Sequence, residues 1–329
     1  MKKMNVLVLA GGWSRERDIS IKSGFAVFNA LNKKKYNMKF FDPASDISSL
    51  IRESVGIDIV FNLLHGRLGE DGSIQGLLNI LRVPYVGSDV LASAVALHKG
   101  ISKDIYRAAG LLVPRAVRLA RGVEWSYEGI SAELGLPVVV KPASEGSSIG
   151  ISICTDKDAL SRGIAGAFEC ERDIIIEEFI EGREITCCVM GNDVQETLPL
   201  IEIIPQNGNI FDYEAKYTPG ATIERCPAEL DEPLAGNASS CGARAHRALG
   251  CSVWSRTDMI VKGDCIYVLE TNTIPGMTEN SLFPLAARAA GMSFPGLLDS
   301  LIGLSLEKHI NPPDRLSSKT RQGAFTYPL

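Results

Sequence analysis

A chain of 329 residues, 45% hydrophobic and 22% charged, carries enough apolar mass for two or three cores and is not composed like a disordered protein. A formal net charge of -5 argues against a non-specific nucleic-acid or membrane-surface partner and leaves room for a local basic pocket, so the expected partners are small molecules. The 8 cysteines include no C-x-x-C pair and read as reduced thiols, and no apolar run reaches signal-core or membrane-spanning length, so a cytoplasmic location is expected.

Residues 5–10 form a continuous apolar run ending in Gly11-Gly12, followed by helical spacing from Ser20 to Leu31, the opening of a doubly wound α/β unit. A second run from Asp58 ends at His65-Gly66, and Val83 to Gly87 closes a first domain at residues 1–95, with ligand groups expected at the carboxyl ends of its strands. Helical spacing from Lys99 stops at Gly110, with Pro114 beyond. Strands at Leu136 to Lys141, Ile151 to Cys154 and Ile174 to Ile180 make a smaller central domain, 96–183. A third domain, 184–306, has strands near 185–190, 197–204, 256–261 and 265–271 and helices near 231–249 and 284–302. Residues 307–329 read as a polar tail. The fold class is α/β (α+β): a parallel N-terminal sheet, a small central domain and an antiparallel C-terminal sheet.

The segment Asp258 to Asn272 sets acidic and amide side chains at both ends of two apolar runs around Lys262-Gly263-Asp264, the pattern of a hairpin. A three-residue loop, Gly263 to Cys265, places Asp258 opposite Glu270, and the two-residue period puts Asn272 on the same face. A two-residue loop, Gly263-Asp264, shifts the register by one and turns Glu270 away. Oxygen donors of this kind suit Mg²⁺ shared with a nucleotide's phosphates; a solvated hairpin with charged ends is the alternative. Arg256 shares the face of Asp258 and suits an oxyanion or a phosphoryl group in flight.

Lys141 ends a buried strand before a loop containing Gly146, Ser147 and Ser148, a combination that can grip phosphate but also occurs in structural turns. Glu177, Glu178 and Glu184 lie at a strand hinge where carboxylates could accept from a ribose or adenine, with the backbone of Phe179 and Ile180 reading a base edge; a solvated hinge is the rival. Glu16, at a helix mouth, could hold an ammonium or simply complement the helix dipole. His65 could orient a carboxylate or phosphate, or be a packed turn residue, while Asp71 or Ser73 caps the following helix. The Gly276 N–H and Ser281 hydroxyl could complete a small-carboxylate site.

Gly11-Gly12-x-Ser14-x-Glu16-Arg17, Leu64-His65-Gly66, Gly69-Glu70-Asp71-Gly72, Lys141-Pro142, Glu145-Gly146-Ser147-Ser148, Tyr213 to Tyr217 and Asn272-x-x-Pro275-Gly276-Met277-Thr278 occur in one order along residues 5–303. In these stretches the chain resembles the D-alanine:D-alanine ligases of the ATP-grasp superfamily. The resemblance implies that ATP lies between the central and C-terminal domains, held by Lys99, Lys141, Glu177, Glu184 and Lys216, with two Mg²⁺ (or Mn²⁺) on Asp258, Glu270 and Asn272. It implies a triad of Glu16, Ser147 and Tyr217 at the first D-alanine, an oxyanion site at Arg256 and Gly276, and Ser281 on the second D-alanine's carboxylate. The stretch Asn207 to Pro227, with Tyr213 and Lys216, is the expected lid. The implied activity forms D-alanyl-D-alanine for peptidoglycan through a D-alanyl phosphate, in a homodimer. With the resemblance in view the odd-length hairpin loop is favoured. Rival readings are a D-lactate or D-serine ligase, against which Tyr217 favours D-alanine, and a non-catalytic nucleotide-binding protein.

Overall fold

The computed structural model describes residues 2–147, 149–205 and 222–310. Ser148, Tyr213, Lys216, Tyr217 and the chain from residue 311 onward lie outside the described residues.

The first sheet is parallel, in the order β2-β1-β3, built from β1 (Met4–Leu9), β2 (Tyr36–Phe41) and β3 (Ile59–Asn62). Val6 to Leu9 are all fully buried, as a continuous apolar run requires when both sheet faces are covered. Val6 and Val8 face a core shared with Phe283, Leu297 and Leu301 of the C-terminal helices, while Leu7 and Leu9 pack with Leu50, Leu64 and Leu78. Helix α1 (Arg17–Ala30) follows β1; α2 (Ile47–Glu53) and α3 (Ser73–Leu81) flank β3 in the chain. Strand β2 has no counterpart in the sequence-based elements, because Asn37 and Lys39 interrupt its apolar pattern at the sheet edge. The cap of α3 is Gly72, at φ 89; Asp71, one residue earlier, accepts from the N–H of Ser73 at 3.0 Å.

After α4 (Val90–Leu97) and α5 (Lys99–Ala108), an antiparallel sheet in the order β4-β7-β5-β6 is formed by β4 (Ala116–Ala120), β5 (Val138–Pro142), β6 (Ser152–Cys154) and β7 (Asp173–Glu178). Helices α6 (Tyr127–Leu134) and α7 (Lys157–Cys170) contribute Ile130, Leu134, Leu160 and Ile164 to its core.

The third sheet is antiparallel: β8 (Arg183–Gly191), β9 (Gln195–Thr197), β10 (Ile201–Pro205), β11 (Thr222–Arg225), β12 (Val253–Lys262) and β13 (Cys265–Asn272), in the order β11-β10-β8-β12-β13 with β9 on β8. The strand expected at 197–204 is thus two. Helix α8 (Glu232–Ala248) and Tyr106 of α5 pack on this sheet. The helix expected at 284–302 is also two, α9 (Leu282–Ala289) and α10 (Phe294–Ile310), bent by 102°. Gly291, at φ 84, donates to the Arg288 carbonyl, and the Met292 N–H donates to that of Ala287, the pairing that closes a helix through a left-handed residue. Among the described residues no single helix is long and apolar enough to cross a membrane.

Candidate active site

A cavity of ≈ 510 Å³ is lined by Glu16 and His65 from segments following β1 and β3, Gly146 and Ser147 from the segment between β5 and β6, and Arg256 and Glu270 from the third sheet. One wall is the β12–β13 hairpin. Lys262 pairs with Cys265, so the loop is the two-residue Gly263-Asp264 and not the three-residue one. Asp258 nevertheless faces Glu270, because the register slips between Asp258 and Met259: Met259 pairs with Val268, and Leu269 is an extra residue with no partner on β12. The bulge restores what an odd loop would have provided. Arg256 pairs with Asn272 two residues further along.

Asp258 is buried, and both its oxygens are held by Arg256, Nε to Oδ1 at 2.9 Å and Nη2 to Oδ2 at 2.7 Å. Thr186 donates its hydroxyl to Asp258 Oδ1. Burial opposes the charge on Arg256, but Asp258 outweighs it and holds the guanidinium above its ordinary value. Glu270 Oε2 lies 3.4 Å from Lys99 Nζ, and Asn272 Oδ1 accepts from the N–H of Ile274 at 2.9 Å. No group of three His, Cys, Asp or Glu side chains is assembled for a metal among the described residues. Two carboxylates and an amide oxygen remain, hard donors that fit Mg²⁺ when substrate oxygens complete the shell, and Arg256 already places a cation on Asp258.

Behind this wall lies a buried cluster. Glu177 Oε2 accepts from Lys141 at 2.8 Å, and its Oε1 lies 3.0 Å from Lys103. Burial pushes the Glu177 carboxyl up, but Lys103 and Lys141 overcome this and hold it below its ordinary value. Burial lowers the Lys103 ammonium, to about 8, against the pull of Glu177. Glu177 and Glu178, expected to accept from a nucleoside, both have protein partners. The Glu177 carboxylate is committed to two lysines, and Glu178 is clasped by Arg115, whose N–H and Nε each donate at 2.8 Å. The Phe179 N–H donates to the Pro137 carbonyl at 3.1 Å, and the side chains of Phe179 and Ile180 are half-buried. Lys99 is buried and donates to the Glu145 carbonyl at 2.6 Å, and Glu184 is paired with Ile260 on β12.

At the other end Glu16 stands at the N-cap of α1, its carboxylate accepting from the Ser147 hydroxyl. Ser147 itself sits at φ 48, a left-handed position unusual for a serine. Gly146 leaves the carboxylate room: a Cβ there would fall 2.6 Å from Glu16 Oε2. His65 is buried and its imidazolium is disfavoured, first by burial, then by Arg256, with the pKa near 4 despite a hydrogen bond to the Ile274 backbone. Its Nε2 has no protein partner among the described residues. A neutral ring whose other nitrogen is spent on a carbonyl presents Nε2 as an acceptor. That suits an amine N–H, where the sequence had suggested a carboxylate or phosphate. Ser281, the N-cap of α9, accepts from the Thr278 N–H at 3.0 Å, and a Cβ on Gly276 would approach its hydroxyl to 3.1 Å. A helix N-terminus with a hydroxyl at its mouth can hold an anion such as a carboxylate.

Sequence reasoning missed Glu70 and Lys103. Glu70 lies in the Gly69-Glu70-Asp71-Gly72 stretch, taken as mainly structural. It accepts from the Gly66 N–H at 2.6 Å, and its carboxyl is pushed up to about 8, first by burial and then by Glu16. Lys103 carried a signal in its spacing, one helical turn after Lys99.

A family model described as D-ala D-ala ligase C-terminus matches residues 105–303, and one described as D-ala D-ala ligase N-terminus matches residues 43–88. The chain belongs to the D-alanine–D-alanine ligase family. The D-alanine--D-alanine ligase of Syntrophobacter fumaroxidans is 50% identical over 307 residues, 93% of this chain and 99% of that protein. Among solved structures, the ligase of Bacillus anthracis complexed with ATP matches with a TM-score of 0.83 and 36% identity over 94% of this chain and 99% of that one. VanG D-Ala:D-Ser ligase from Enterococcus faecalis matches with a TM-score of 0.78 and 30% identity over 92% of this chain and 100% of its own. The ligase family's ATP-grasp architecture is the one described above, a parallel sheet followed by two antiparallel ones.

Proposed function

We propose that this ligase joins two D-alanines into D-alanyl-D-alanine, with ATP converted to ADP and phosphate, as a precursor for peptidoglycan. One observation carries this: a single cavity brings a charge-neutralising wall, Arg256 on Asp258 beside Glu270, together with an ammonium site at Glu16–Ser147 and a carboxylate site at Ser281. Lys99 and Lys141, with Lys216 and Ser148, hold the phosphates, and the backbone near Phe179 and Ile180 reads the base beside Glu184. Asp258, Glu270 and Asn272 would hold two Mg²⁺, which when bound neutralise the terminal phosphates.

The first D-alanine's ammonium rests on Glu16. Its carboxylate oxygen attacks the γ-phosphorus, the bond to the β-phosphate oxygen breaks, and ADP leaves a D-alanyl phosphate. The second D-alanine is anchored by its carboxylate on Ser281 and the N-terminus of α9. Its amine, donating toward His65 Nε2, attacks the acyl carbon. The oxyanion that forms meets the Arg256 guanidinium and the Gly276 N–H, and phosphate departs with the C–O electron pair and takes up the proton that the amine sheds. Tyr217 and Tyr213, on the segment expected as a lid, keep water from the acyl phosphate. Catalysis is positioning and charge neutralisation; no protein nucleophile is required.

Purified protein given Mg-ATP and D-alanine is expected to release phosphate and dipeptide in equal amounts, with Glu270→Ala abolishing both while its melting curve stays close to wild type. ATP binding without dipeptide from any acceptor would establish a non-catalytic role instead. Competing D-alanine, D-serine and D-lactate as second substrate is expected to give mainly D-alanyl-D-alanine; a depsipeptide as the main product contradicts the Tyr217 argument.

A further inference from the structure

Two lysines stand one turn apart on α5, and the chemistry above employs only the first. Lys103 is fully buried, and its ammonium donates to the carbonyl of Leu269 at 3.0 Å while lying 3.0 Å from Glu177. Glu177 already has a counter-ion in Lys141 at 2.8 Å, so a second buried ammonium is not needed to neutralise it. Buried lysines are rare without a specific partner. Beside Glu177 the partner here is a backbone carbonyl, and that carbonyl belongs to the bulge residue, the one position of β13 between Val268 and Asn272 without an opposite number on β12.

The two-residue loop on its own would set Asp258 opposite Leu269 and turn Glu270 to the far face. Only the bulge, sitting between Met259 and Asp258, brings Glu270 across from Asp258. Moved two residues toward the chain's end, the same bulge would leave Glu270 out of the cavity. Given the metal-binding role proposed above for Asp258 and Glu270, we infer that Lys103 is a positioning residue for this reaction: its hold on the Leu269 carbonyl pins the bulge and so keeps the two carboxylates facing each other. Lys99, on the same face of the helix, lies against the side chain of the very next residue, Glu270, so one turn of α5 grips both the bulge and the ligand it places. Through Glu177 the same ammonium ties that register to the central sheet.

The decisive experiment compares Lys103→Met in two backgrounds, the wild-type hairpin and a hairpin with Leu269 deleted. Deleting Leu269 removes the bulge yet leaves Asp258 opposite Glu270 in an unbroken ladder, so Lys103 has nothing left to pin. Mn²⁺ binding in the presence of ADP is read by electron paramagnetic resonance, alongside KM for ATP and for D-alanine. In the wild-type hairpin Lys103→Met is expected to weaken Mn²⁺ binding by about 10-fold or more and to raise KM for ATP, with KM for the first D-alanine unchanged. In the deletion background the same substitution is expected to change Mn²⁺ binding by no more than about twofold. Equal losses in both backgrounds, as from a counter-ion of Glu177 alone, overturn the inference, and so does wild-type Mn²⁺ affinity in Lys103→Met. If the single variant does not fold, the deletion and double variants decide: matching Mn²⁺ affinity supports the inference and a loss of about 10-fold or more in the double variant overturns it. Failure of the metal role itself shows separately, as a wild-type Mn²⁺ signal that Asp258→Asn leaves unchanged, and that result overturns both.

Discussion

Replacing Glu177 by glutamine tests the buried cluster that joins the central and C-terminal sheets. The substitution keeps the shape of the side chain and removes the negative charge between Lys103, fully buried, and Lys141, 9% exposed. Breaking a buried ion pair by neutralising one partner costs about 3–5 kcal/mol. The lower end applies, because Lys103 already titrates near 8 with Glu177 in place and will shed its proton more readily without it. A deficit of about 3 kcal/mol corresponds to roughly 4 °C in melting temperature for a chain of 329 residues, whose unfolding entropy is about 2.1 cal/mol/K per residue. The deficit also depends on pH in a defined sense. A lysine whose folded pKa lies below its unfolded value of 10.5 costs stability while protonated, and the loss is recovered as pH rises between those two values. Glu177→Gln moves the folded value further down, so its deficit narrows between pH 7 and pH 9. Differential scanning calorimetry at the two pH values reads both effects. A variant melting within about 2 °C of wild type at pH 7, or one whose deficit widens at pH 9, would refute the assignment of Glu177 as the shared counter-ion.

His246, on α8 with its Nδ1 2.7 Å from the Ser255 hydroxyl, is held near pKa 4 by burial first and Arg247 second. Its unfolded form takes up a proton as pH falls below 6.5 while the folded form does so only near 4, so about 2 kcal/mol of stability is lost between pH 7.5 and pH 5 through this residue. In urea unfolding His246→Gln should lose that much less over the same interval, and parallel pH curves for the two proteins would show that the burial cost is not there. Ser281→Ala removes a hydroxyl proposed to meet a carboxylate, worth about 1.5–3 kcal/mol, so KM for the second D-alanine should rise by about 10-fold or more with kcat little changed; an unchanged KM removes Ser281 from the site.

The parts of the fold visible in the sequence are those where burial matches the apolar pattern, such as Val6 to Leu9 and the Ile174 to Ile176 stretch, all buried. Edge elements such as β2 are obscured by polar residues facing solvent. The hairpin shows a different limit. Periodicity assumes an unbroken ladder, so it linked the facing of Asp258 and Glu270 to an odd loop; the chain uses an even loop and a bulge, and no local signal in Val268-Leu269-Glu270 marks the extra residue. On α5 hydrophobic pattern misleads outright: Ile101 is 42% exposed while Lys99 and Lys103 are buried, because this helix face serves a charged wall. The candidate residues around the cavity were legible as motifs. Their partners were not, since Arg115 on Glu178 and Lys103 on Glu177 are contacts between distant segments.

The central claim is that ATP activates the carboxylate of one D-alanine as an acyl phosphate before the peptide bond forms. Turnover of D-alanine labelled with ¹⁸O in both carboxylate oxygens, with unlabelled ATP and water, tests it most directly. Each phosphate released with dipeptide should carry one ¹⁸O from the first D-alanine, the other remaining in the new peptide carbonyl. Dipeptide formed alongside phosphate that carries no label would contradict the account.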